Sequence, residues 1–300
     1  MLAFGSNGSL GIDDGLLGLA PVIESFRRRF MEINDILEIK PESKAGLEAT
    51  KAAIKGVSSF LGMVFKPGLE ELGHIFKDEV RYWRLNNILS MLNSAKGKLE
   101  FDGKELNLTA NARVGLSIME GCSEVDNEEL QDLWAGLFAS SCTPDGRDDS
   151  NMNFVDLLRR MSSVEAKILD YACRNCNKYI YPNQLIIAED ITVSFDTLVK
   201  IAGTDDRYRL DSELDHMRSI ELLLQGGSFA GSGGGFTASD DSLEANITPS
   251  PLALNLYFKT HSLGISPKAF WSDKLILRNE DTDNQKQQEE FDRIFSGISK

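Results

Sequence analysis

The sequence predicts a mainly α fold: a helical N-terminal and central region, then a winged-helix-like α+β module with a small β-hairpin. Three observations predict it. Apolar residues recur at helical spacing along most of the chain. Helix-start signals recur as well, with Ser162 three residues before Glu165 and Ser250 directly before Pro251. The last two-fifths run helix, short helix, helix, a Gly-rich tip between short extended pieces, then helix. That order is the plan of a winged helix.

The elements follow in chain order. Residues 1–15 are rich in Gly, Ser and Asp, a composition that predicts a mobile N-terminus. Helical periodicity starts near residue 16 and is broken or kinked at Pro21. The triple arginine Arg27–Arg29 is a small basic patch, read as a solvated helix face. Next comes an amphipathic helix in which Ile54, Val57, Phe60, Leu61 and Val64 form an apolar stripe beside Lys51 and Lys55. Its most apolar part, Ala52–Phe65, is too short to span a bilayer and is read as a core helix, with an interfacial membrane helix as the alternative. Pro67 and Gly68 punctuate. Beyond them Val80, Trp83, Ile88 and Leu92 recur every three to five residues, predicting that Trp83 packs inward with Arg81 and Arg84 flanking it. "FDGKELN" reads as a turn.

In "DNEELQDLWAGLFASS" the residues Leu130, Leu133, Trp134, Leu137 and Phe138 sit at i, i+3, i+4, i+7 and i+8, one continuous stripe. Asp126 and Glu129 suggest a capping box, so the carboxylates have a local structural role and Trp134 is read as core. A polar loop at 143–153 places the main boundary near 150. Ser162 and Glu165 open the helix "VEAKILDYACRN", "SFDTLVKIAG" is a short helix closed by Gly203, and Asp211–Gln225 is a third helix stopped by Gly226 and Gly227. The Gly-rich stretch 231–236 reads as a wing tip, "ANITPS" as its returning strand, and "SPLALNLYFKTHSLG" as a helix ended at Gly264. The division is therefore a mobile N-terminus at 1–15, a helical domain at 16–150, a winged-helix-like domain at 151–265 and a polar C-terminal tail at 266–300.

Charge narrows the partners. The first hundred residues carry equal numbers of acidic and basic side chains, so the whole net charge of −14 falls on the remainder. An acidic surface repels phosphate backbones, which disfavours nucleic acid. No basic n-region, no run of 18 apolar residues and only four cysteines predict a cytoplasmic protein with free thiols. No residue set adds up to an active site, and no catalytic, cofactor-binding or metal-ligating residues are assigned. Cys173 and Cys176 form a lone C-x-x-C, where zinc needs about four ligands. His74, His216 and His261 fall on separate helices with no local nucleophile or ligand partner. "GSGGGF" lacks the Lys and Ser/Thr of a phosphate-binding loop.

The blocks "KPGLEELGHIFKDEVRYWRLNNILSML", "NEELQDLWAGLFASS" and "SSVEAKILDY" resemble hallmark segments of the abortive infection alpha family of bacterial proteins. The resemblance runs over roughly residues 60–262 and rests on the Leu130–Leu137 and Glu165–Leu169 helices. It implies bacterial phage defence, in which an infected cell stops growing or dies before phage matures, and it brings no catalytic residues. The expectation is a non-enzymatic protein that acts through a protein partner from host or phage, with room for a homo-oligomer. The alternatives are a membrane-active effector, peripheral at the inner membrane, and a winged-helix transcription regulator. In the last, the expected recognition helix offers Arg218 alone against four carboxylates.

Overall fold

The computed structural model describes residues 57, 60–64, 82–100, 107–224 and 243–277. The expectations for Pro21, Arg27–Arg29, His74, Val80, Arg81, the 101–106 turn, the 225–242 wing tip and the tail beyond 277 lie outside them. The chain divides into two compact units. One holds the residues up to Glu124 together with Ser141–Asp149; the other holds Val125–Ser140 and everything from Ser150 on. Both are mainly helical, with small sheets of two or three strands.

In the first unit Val57, Phe60, Leu61 and Val64 are all buried, as their stripe predicts. Helix α1 (Tyr82–Lys98) buries Ile88, Met91, Leu92 and Ala95 and ends on Lys96 and Lys98, cations suited to its C-terminal dipole. A two-residue strand β1 (Thr109–Ala110) leads to α2 (Ala112–Cys122), whose first turn is capped by the Asn111 side chain accepting from the Val114 N–H. Strand β2 (Cys142–Thr143) pairs antiparallel with β1. Gly146 adopts φ +64°, and a side chain there would meet Thr109.

Trp83 corrects the expected inward packing, because it is 44% exposed. It lies five residues before Ile88, about 140° round a 3.6-residue helix, whereas Arg84 lies only about 40° away. Arg84 takes the inward position: its Nε and Nη2 donate to Ser123 Oγ at 3.0 and 2.8 Å, and Nη2 pairs with Glu124 at 3.3 Å. Asn87 donates to the Ser123 carbonyl, so α1 clasps the C-terminal end of α2.

The second unit is built round α3 (Glu128–Ser140), which buries nine consecutive positions save Asp132, from Leu130 to Ala139. Its cap is Asn127, whose Oδ1 accepts from the Leu130 N–H at 3.1 Å, one residue on from the expected Asp126. Three helices pack on α3: α4 (Met152–Arg160), α5 (Ser163–Asn175) and, beyond the strands, a late helix described below. The predicted capping box is present, with the Glu165 N–H donating to Ser162 Oγ and the Ser162 N–H to Glu165 Oε2.

Strands β3 (Lys178–Ile180) and β4 (Ile186–Ala188) form a hairpin not foreseen from the sequence, and β5 (Thr192–Ser194) leads into α6 (Phe195–Ala202). Helix α6 closes at Gly203 in the left-handed conformation, φ +73°, as expected. Helix α7 runs Arg207–Ser219, opened by Asp206 accepting from the Arg209 N–H. It therefore starts four residues before the expected Asp211 and stops well before Gly226. Glu221 turns the chain at φ +62°, and Leu223 then bridges Pro249. Leu224, expected on the helix, donates to the Thr248 carbonyl and is exposed. The expected returning strand is β6 (Glu244–Asn246), but it pairs antiparallel with β5 and not with a full strand after α7.

Helix α8 (Pro251–His261), the late helix on α3, is capped by Ser250 with Pro251 at its first position, as predicted. It packs closely on α3 because Gly136 has no side chain: a Cβ there would stand 1.7 Å from the Thr260 carbonyl oxygen. A short α9 (Pro267–Phe270) and β7 (Leu275–Leu277) follow, within the stretch expected as a polar tail. Strand β7 joins β3 in parallel, giving a three-stranded sheet in the order β4-β3-β7.

Candidate functional site

The second unit carries an open cleft of about 500 Å³ between α3, α5, α6 and α8. From α3 it receives Glu128 and Glu129, the first-turn carboxylates after the Asn127 cap, then Asp132 and Leu133. Their spacing follows from the apolar stripe. With Leu130, Leu133, Trp134 and Leu137 facing the core, Glu128 and Asp132 fall one turn apart on the flank. From α5 come Lys167, Asp170, Tyr171 and Arg174, and from α8 Tyr257 and His261. Ile201 of α6 closes one side.

The lining side chains hold one another. Lys167 pairs with Glu129 at 3.5 Å. The Glu129 carboxyl is held below its ordinary value, first by its own backbone N–H and then by Asn127 and Lys167. Arg174 Nε donates to Asp170 Oδ1 at 2.8 Å and to Tyr257 Oη at 3.0 Å, while Tyr257 Oη donates to Asp170 Oδ1 at 3.0 Å. Burial pushes the Tyr257 phenol up, so it stays protonated as this triangle requires. The His261 ring stacks on Tyr257 at 3.9 Å between centroids, and its Nδ1 lies 2.9 Å from the Tyr257 carbonyl. A carbonyl only accepts, so Nδ1 carries the proton. Four carboxylates face two cations, each cation sits in an ion pair, and the floor is aromatic. The cleft can grip a cationic, partly planar group.

The residues singled out from sequence lie mainly elsewhere. Trp134 is fully buried and does not line the cleft. Cys173 and Cys176 are buried free thiols at the C-terminal end of α5, and burial pushes both up. Between them and the sheet sits Lys178, which spacing did not reveal. Fully buried, it donates from Nζ to the carbonyls of Cys173 and Cys176 and lies 4.3 Å over the Trp271 ring. It is a side-chain cap on the last turn of α5, and burial lowers its pKa. His216 meets a distant partner, Glu165 Oε1, at 2.6 Å from Nδ1. Of the histidines, His261 alone reaches the cleft among the described residues. A cue existed in the sequence, the i, i+3, i+7 spacing of Lys167, Asp170 and Arg174 on α5, but only packing sets that stripe against Glu128 and Asp132.

Among the described residues no three His, Cys, Asp or Glu side chains are grouped to hold a metal ion, and no helix is long and apolar enough to cross a membrane. No curated protein and no solved structure matches the chain. A family model does. The match spans α1 from Leu85, the Trp134 helix, the capping-box helix and the whole of α7, inside the wider span over which the sequence blocks suggested it. Residues 85–231 match the abortive infection alpha family, and over this stretch the chain belongs to that family.

Proposed function

We propose that this chain is a non-enzymatic, protein-binding component of abortive infection. The family implies phage defence; the mode of action is our reading. The observation that carries it is the cleft, where the ionisable side chains are tied to one another in ion pairs and a phenol–carboxylate–guanidinium triangle. Such a set recognises charge and shape. It does not poise a nucleophile against a base. The partner is a host or phage protein, and the setting is the cytoplasm. Replacing Ile201 with tryptophan fills the cleft without altering its charge. In a plaque assay this variant should lose protection and fail to co-purify the partner that the unaltered chain retains; full protection in a folded I201W protein defeats the proposal.

One observation favours a second reading. Strand β5, α6, α7 and β6 follow the winged-helix order, and α7 opens on Arg207 and Arg209, so the helix holds three arginines where the sequence suggested Arg218 alone. Each is engaged locally: Arg207 over the Phe195 ring at 5.1 Å, Arg209 with Glu213 at 3.5 Å, and Arg218 with Asp215 at 3.1 Å. Phosphate contacts would have to displace these, against the carboxylates of Asp205, Asp206 and Asp211. Tight, strongly salt-dependent binding to duplex DNA would favour the regulator. The membrane alternative is opposed by the burial of Val57, Phe60, Leu61 and Val64, the side chains an interfacial helix would present. Flotation of the full chain with anionic vesicles tests it.

A further inference from the structure

We propose that the cleft receives a basic segment of the partner protein, entered by an arginine whose guanidinium lies between the Glu128–Asp132 edge and the Tyr257–His261 aromatic pair. This rests on the cleft being the docking surface. Four observations carry it. The cavity, at about 500 Å³, has room for a side chain and its flanking backbone. Its lining is unbalanced toward negative charge, because Lys167 and Arg174 are already paired with Glu129 and Asp170 while Glu128 and Asp132 add two further carboxylates. Those two sit four residues apart on one helix flank, a spacing that lets a planar fork reach one or both. The opposite wall is a stacked phenol and imidazole, and a guanidinium gains from aromatic surface where a compact ammonium gains less. Nucleic acid and anionic lipid are repelled by the same edge.

The stack is held from behind, which makes the wall rigid. Tyr257 also stacks on Trp271 at 5.6 Å between centroids, and its hydroxyl is pinned by Asp170 and Arg174. An incoming arginine therefore meets a surface that needs little ordering.

The test uses calorimetric titration of the full chain with an arginine octapeptide, a lysine octapeptide and a glutamate octapeptide. Three variants are compared: Glu128→Gln with Asp132→Asn, Ile201→Trp, and an exposed control pair, Asp205→Asn with Glu244→Gln. Neutralising the edge should weaken the arginine peptide by roughly 10- to 100-fold, as loss of charge-assisted bonds predicts. The control pair should leave it unchanged, the lysine peptide should bind more weakly, and the glutamate peptide should not bind. Equal weakening by the control pair would mean diffuse attraction to an acidic chain and overturns the site. Equal affinity for lysine overturns the guanidinium, and no binding of the arginine peptide overturns the basic occupant. The plaque assay separates the two claims. Protection lost in I201W but kept in the neutralised pair retains the docking surface and removes its basic occupant. Protection kept in both removes the docking surface itself. Thermal melts of each variant report folding, and the neutralised pair touches no buried apolar contact.

Discussion

Trp83 and Trp134 carry the same side chain and meet opposite surroundings. Trp134 stands on a stripe of five apolar residues with unbroken 3.6-residue spacing and is fully buried; Trp83 stands on a loose spacing and is exposed. The indole N–H of Trp134 finds no acceptor among the described residues. Its value is therefore its volume and not its polarity. Trp134→Ala should destabilise by roughly 3–5 kcal/mol, as large core truncations do. Trp134→Phe should cost distinctly less, because it also removes a buried unpaired donor worth about 1–3 kcal/mol. Urea unfolding followed by far-ultraviolet dichroism checks both, and equal losses would show that the N–H matters. Single residues were legible in the sequence where a periodic neighbourhood constrained them. Lys178 was not, because a lysine two residues beyond a cysteine gives no hint that it folds back to cap a helix and slides beneath a tryptophan 93 positions later.

Pairs of elements are joined at two points that stability measurements can address. Helices α3 and α8 meet at Gly136 and Thr260 so closely that any Cβ at 136 collides with backbone. Gly136→Ala gains helix propensity yet should destabilise by at least about 1–3 kcal/mol, the usual cost of overpacking; a neutral result in a urea titration would mean the helices part easily. Helices α5 and α7 are tied by Glu165 and His216, with Ser162 Oγ donating to Glu213 alongside. Burial raises the Glu165 pKa above its ordinary 4.5, against the opposing pull of Ser162 and His216. A carboxyl raised on folding favours the native state most when protonated, so its contribution is full below 4.5 and is lost as pH climbs through the folded value. The stability of the unaltered chain relative to Glu165→Gln should therefore fall as pH rises from about 4 into the neutral range. A flat difference would show that His216 fully compensates. Long helices with caps were legible at this scale, and the ends of α5, α6 and α8 follow their Ser, Gly and Pro signals. The strands were not. Each is two or three residues long, too short for alternation to register, and β3 finds β7 only after a long excursion of the chain.

At the scale of the whole chain, charge and connectivity do different things. The negative balance sits in the part that carries the cleft, so its field reaches beyond the four lining carboxylates and should speed encounter with a basic partner. Raising salt from about 0.05 M to about 0.3 M should slow capture of the arginine peptide more than its release, a difference that stopped-flow fluorescence resolves. The acidity and the mainly helical class were legible from composition and periodicity. The cleft was not, because its walls come from four helices between Glu128 and His261 that only tertiary packing brings together. That spread also has a consequence for synthesis. The glycine contact that seats α3 joins Gly136 to Thr260, so the ribosome must add 124 residues before the first partner can be covered by the second. At common elongation rates this is roughly 6–25 s, during which a newborn stretch bearing Trp134 and Phe138 lacks its lid. Ribosome-bound chains arrested before residue 251 should associate with holdase chaperones, and those arrested well beyond 261 should let go.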